Sequence, residues 1–80
     1  MSLISHLRWP MTRGEYITWC QLRASNTLAK GNLQGALEGF ITDMNNHLQT
    51  QINQHLTMMA LKIIQDQDFD EAEKFIGRFT

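Results

Sequence analysis

The chain has one cysteine, one proline and no long apolar run in its 80 residues. A lone cysteine, Cys20, rules out an internal disulfide framework and fits a reducing compartment. No stretch approaches the ~18 apolar residues that a membrane span needs. Met1–Leu7 is too short and too polar to read as a signal peptide. Charge of one sign is also lacking: seven Lys and Arg against eight Asp and Glu leave a net −1. Such a balance gives little long-range attraction for nucleic acid or a membrane surface. Strand signals are absent too, since no alternating run flanks a hairpin dipeptide. What remains is a 42% hydrophobic chain of single-domain length, which is globular rather than disordered.

The apolar residues fall at helical spacing. Thr12 and Glu15 form a capping-box pair after Pro10, and Tyr16, Ile17, Trp19, Cys20, Ala24 and Leu28 follow at three- and four-residue steps. Gly31 supplies a helix stop, and Asn32 a cap for the next helix. That helix carries the stripe Leu33, Ala36, Leu37, Phe40, Ile41 and Met44. The polar segment 45–50 predicts a break. A third helix is expected over about 51–65. Its apolar run, Leu56 to Ile64, predicts that it is the most central element. Asp68 or Asp70 can cap a last helix bearing Phe69, Ala72, Phe75, Ile76 and Phe79. The expected fold is all-α, with three or four short helices packed as antiparallel hairpins. A single helical domain is expected over 11–80, with residues 1–10 as an N-terminal extension.

Motifs for chemistry are weak. His47 and His55 lie eight positions apart, too far to chelate one ion on a continuous helix, and zinc wants three or four ligands. They read as surface or capping histidines, and no metal or cofactor is expected. Cys20 sits within an apolar stripe, where a small buried thiol is the ordinary outcome. The acidic run Asp66–Glu71 lacks the glycine and distant glutamate of a calcium loop and reads as helix capping. Catalytic residues are therefore not assigned, and the chain is not expected to be an enzyme. Asn45, Asn46, Gln49, Gln51, Asn53 and Gln54 have side chains that read base edges. However, no Lys or Arg lies between Lys30 and Lys62 to hold phosphates, so a nucleic-acid-binding regulator ranks third among the functions considered.

Charge is uneven along the chain. Residues 1–30 carry Arg8, Arg13, Arg23 and Lys30 against Glu15, a balance of +3, and residues 62–80 carry a balance of −2. Mutual neutralisation of the two ends is the plain reading, and a basic partner-binding end the sharper one. Met58 and Met59 read either as core filling or as part of an adaptable groove.

Two resemblances add to this. Gly31–Phe40 laid over Gln67–Ile76 aligns Asn32 with Asp68, Leu33 with Phe69 and Ala36 with Ala72, which resembles the turn and second helix of tetratricopeptide hairpins. Leu33 stands where that family has an aromatic residue, and the pattern reads as two helical hairpins packed together. From Met11 onward the chain also resembles a group of small tailed-bacteriophage proteins. Met11, Thr12, Arg13, Glu15, Tyr16 and Trp19 match its opening, and Arg23-Ala24 follow. Gly31-Asn32-Leu33 and Ala36 match its turn, Asp43-Met44 and His47 its middle, and Phe75-Ile76 its ending. The second histidine comes later here than in that group.

The resemblance implies a phage setting, in the cytoplasm of an infected bacterial host, and no known activity. The expected function is a small non-enzymatic protein-binding module that modulates or inhibits a host or phage protein, with a minor virion or assembly component as the alternative. Leu7, Trp9, Trp19, Met58, Met59 and Phe79 are the candidate partner-binding residues, since interface centres favour aromatic residues and methionine. A homodimer is expected because helix 3 carries more apolar surface than one neighbouring hairpin can cover.

Overall fold

Thr12 opens the first helix as the sequence predicts. Its hydroxyl oxygen accepts from the Glu15 N–H at 3.1 Å, and Glu15 Oε1 accepts from the Thr12 N–H at 3.0 Å. Two otherwise orphaned donors are satisfied in this way. The computed structural model describes residues 12–79. The expectations placed on residues 1–10, Leu7 and Trp9 among them, lie outside the described residues.

Four α-helices follow in order: α1 (Arg13–Ala29), α2 (Leu33–Asn45), α3 (Gln54–Asp66) and α4 (Phe69–Gly77), with a 3-10 turn at Leu48–Thr50. No strand occurs among the described residues. The fold class is all-α, as expected.

α1 and α2 make one hairpin, α3 and α4 the other, and the two turns use the same hydrogen bonds. The Gly31 N–H donates to the Leu28 carbonyl at 2.9 Å, and the Asn32 N–H to the Thr27 carbonyl at 3.3 Å. In the second turn the Gln67 N–H donates to the Ile64 carbonyl at 3.2 Å, and the Asp68 N–H to the Ile63 carbonyl at 3.3 Å. Both are left-handed caps with a long-range reach back into the helix. The left-handed residue is Gly31 (φ 87°) in one turn and Gln67 (φ 54°) in the other. Asn32 and Asp68 then cap α2 and α4 through their side chains, at 2.9 and 3.2 Å.

The core follows the predicted stripes. Ile17 and Cys20 of α1 close on Leu33, Ala36, Leu37, Phe40 and Met44 of α2, all at most 2% exposed. Phe40 packs edge-on against Phe75 and Phe79, with ring centroids 6.3 and 5.2 Å away. Such pairs prefer this tilt because ring edges are positive and faces negative. The aromatic trio joins the two hairpins.

The third helix is a correction. It starts at Gln54, three residues later than expected, because Asn53 caps it: Asn53 Oδ1 accepts from the Leu56 N–H at 2.8 Å. It is also peripheral, not central. Only Ala60 and Ile63 are buried on it, against five residues on α2. It packs on α2 and α4 and does not approach α1. A helix with neighbours on one side covers one stripe, whatever the apolar content of its other faces.

The amide-rich segment serves this connection. Asn45 Oδ1 accepts from the Ile52 N–H at 2.7 Å. His47 Nδ1 accepts from the Gln49 N–H at 3.1 Å, and the Thr50 hydroxyl donates to the Met44 carbonyl at 2.6 Å. His47 is thus a capping histidine, as predicted.

Candidate functional site

Because α3 buries one stripe, its opposite side is bare. Leu56, Met59 and Ile64 are half-buried against the core. Met58 and Leu61 point away, 61% and 55% exposed. A shallow depression of about 660 Å³ lies on this side, lined by His55, Met58, Met59, Leu61, Lys62 and Ile64, with Gln65 at its end. Every lining residue belongs to α3. The charges near it are paired along the helix, with Lys62 Nζ 3.2 Å from Asp66 Oδ2. Both groups are well exposed, so the pair adds little stability. The face is therefore apolar and nearly neutral.

Of the described candidate partner-binding residues, Met58 and Met59 line this depression, and Trp19 and Phe79 lie elsewhere. Met58 is exposed, which corrects its reading as core filling. Met59 is half-buried and lines both the α3 face and a cleft toward α4 that includes Ile63, Lys74 and Phe75. Trp19 is half-buried on α1, 5.5 Å from the Tyr16 ring, with the Arg23 guanidinium 4.7 Å above its own ring. Arg23 Nε lies 3.4 Å from Asp43 Oδ2, and the Tyr16 hydroxyl donates to the Asp43 carbonyl at 2.5 Å. Trp19 therefore sits over a polar clasp between α1 and α2. Phe79 is half-buried in the aromatic trio. Sequence reasoning did not single out Leu61, nor Leu22 (55% exposed) and Leu48 (85%), and Phe69, placed on the apolar stripe of the last helix, is 41% exposed. The unbroken apolar run through Leu61 was visible, but its exposed side was not.

Cys20 is fully buried. Burial pushes its thiol up to about 11, with Asp43 adding to the effect. An activated nucleophile needs the opposite shift. Burial likewise raises Tyr16 above its ordinary value. Among the described residues no group of three or more His, Cys, Asp or Glu stands together to hold a metal ion, and no described helix is long and apolar enough to cross a membrane. The ion pairs Arg23–Asp43, Lys62–Asp66 and Lys74–Glu71 do not join the basic first thirty residues to the acidic end. In these three pairs each charge meets its partner in its own or the adjacent helix.

Fold and face together define a small all-α protein of two hairpins with an apolar helix side facing outward. A scan of protein-family models, a search of curated proteins and a search of solved structures each return no match.

Proposed function

We propose that this protein is a non-enzymatic protein-binding module whose docking surface is the outer side of α3. The observation that carries the reading is the exposure of Met58 and Leu61, one turn apart, on a face with no net charge. Interface centres are depleted in charge and favour methionine and other large apolar groups. Met side chains also adapt to a partner's shape. The resemblance of residues 11–80 to small phage proteins supplies the setting: an accessory protein that occupies a surface of a host or phage protein inside the infected cell.

The test compares tagged wild type with Leu61→Glu and Leu22→Glu in infected cells. Leu22 is as exposed as Leu61 but lies on α1. A cellular protein retained by wild type and by the Leu22 variant, and lost with Leu61→Glu at unchanged helicity, supports the reading. Retention of the same proteins by all three sinks it. Recovery of the protein in purified particles, unaffected by Leu61→Glu, points to a virion component instead.

A further inference from the structure

The sulfur atoms of the described residues are unequally placed. Cys20 on α1 and Met44 on α2 are 0% and 1% exposed. Met59 is half-buried against the core. Met58 is open, at 61%. Cysteine is ordinarily oxidised more readily than methionine, because its thiolate is the attacking form. Here burial both hides the Cys20 thiol and keeps its proton on. The usual order is therefore inverted, and the thioether on the surface is the group that an oxidant meets.

We propose that Met58 is an oxidation site that switches the outer side of α3: hydrogen peroxide, or another peroxide, converts its thioether to the sulfoxide, leaves the fold intact and closes the face to apolar partners. This rests on the reading that the outer side of α3 is a docking surface, and it adds a regulation of that surface. In the step, a sulfur lone pair attacks one peroxide oxygen. The S–O bond forms as the O–O bond breaks, and the hydroxide that leaves takes up the proton from the transferred oxygen. Sulfur gives up an electron pair, and the peroxide ends as water.

Position gives this oxygen its effect. Met58 lines the depression with Met59, Leu61 and Ile64, and a sulfoxide there turns a flexible apolar group into a strong acceptor. Lys62 follows by four residues, the spacing of neighbours on a helix. Its ammonium lies 3.2 Å from Asp66 Oδ2 and can donate to the new oxygen as well. An apolar partner can return neither that bond nor those of water. Burying the oxygen should therefore weaken docking by about tenfold or more. The fold is spared, because α3 packs through Ala60 and Ile63. The same oxygen on Met44 would break the core. Exposure also admits methionine sulfoxide reductases, so the change is reversible.

Dilute hydrogen peroxide on the full chain tests the proposal. The readouts are peptide mass mapping, circular dichroism and the fluorescence of anilinonaphthalene sulfonate, a dye that binds exposed apolar surface. Met58 is expected to gain its oxygen before Met59, with Met44 and Cys20 unchanged and helicity unaltered. Dye fluorescence should fall about as far as it does in Leu61→Glu, and methionine sulfoxide reductase should restore it. In Met58→Leu, whatever its starting fluorescence, peroxide should change nothing, although Met1 and Met11 are still present. Oxidation of Met44 or Cys20 alongside Met58 overturns the proposal, as does a loss of helicity on forming the Met58 sulfoxide. A wild type with no dye binding to lose overturns it too, as does a sulfoxide that leaves dye binding unchanged or a fall that persists in Met58→Leu. The docking reading is decided separately, by the cellular protein captured from infected cells. If Leu61→Glu loses that protein and the Met58 sulfoxide form retains it, only the switch is wrong. If Leu61→Glu retains it, both fall.

Discussion

The two hairpins share a turn and differ in what they bury. Position for position, the Gly31 turn and the Gln67 turn make the same backbone bonds, and Asn32 and Asp68 cap the helices that follow. Yet α1 and α2 bury five residues each, while α3 buries two and α4 three. The first hairpin is closed on both sides, by its own partner helix and by α4, which packs on α1 and α2. The second leaves the outer side of α3 uncovered by any other described helix. Local turn chemistry thus sets how a hairpin folds over, and neighbours set how much of it is covered. Surplus apolar surface accumulates on the helix with the fewest neighbours.

The largest test of this division removes the joint between the halves. Phe40 is 1% exposed and touches both Phe75 and Phe79. Phe40→Ala is expected to cost about 3–5 kcal/mol. In a domain this small, that loss should unfold both hairpins in one transition. A urea melt followed by circular dichroism in which one hairpin persists would show that the two are independent.

Alkali should attack the first hairpin through its buried thiol. Cys20 is raised from 9.0 to about 11 in the folded chain, so the folded state holds its proton longer than the unfolded one. This stability is fully present below pH 9 and is lost as pH rises toward 11, by up to ~1.4 kcal/mol per pH unit. Tyr16, raised by burial in the same hairpin, acts in the same direction at higher pH. Urea midpoints at pH 8 and pH 10.5 should differ more for wild type than for Cys20→Ala. Equal differences would mean that the thiol is solvated when folded.

Exchanging the turn residues sharpens the comparison further. Gly31→Ala forces a side chain into a left-handed conformation and should cost about 1–2 kcal/mol. Gln67→Gly relieves that strain in the second turn and should gain about 0.5–1 kcal/mol, net of a lost Gln67 Nε2 bond to the Ile64 carbonyl. Thermal midpoints moving in opposite directions are the expected result. At the small end, Leu61→Gln on the bare side of α3 should change stability by no more than about 0.5 kcal/mol. A larger loss at dilute concentration would mean that this side chain is packed.

What was legible in the sequence was local. The Thr12–Glu15 box, the Gly31 stop and the Asn32 and Asp68 caps each involve partners within a few residues, so the residue types announce them. The core stripe of α2 was equally readable, because its polar side is clean. The outward side of α3 was not. Leu56 to Ile64 is apolar around most of the helix, and only the positions of α2 and α4 decide that Ala60 and Ile63 turn in while Met58 and Leu61 turn out. Gln67 gave no signal of its left-handed backbone, since glutamine has no preference for it. The late start of α3 was hidden by a choice among several amides, of which Asn53 is the cap.

One side chain links distant parts of the chain in time as well as in space. The Gln21 carboxamide donates to the carbonyls of both Ile76 and Phe79, at 2.9 Å each and across 55 and 58 residues. Closing so long a loop is slow compared with zipping a hairpin whose helices are adjacent in sequence. The α1–α2 hairpin should therefore form early and the Gln21 latch late, after the barrier has been crossed. Removing it with Gln21→Ala should leave the refolding rate nearly unchanged and quicken unfolding, so that the latch governs how long the folded molecule lasts rather than how fast it arises.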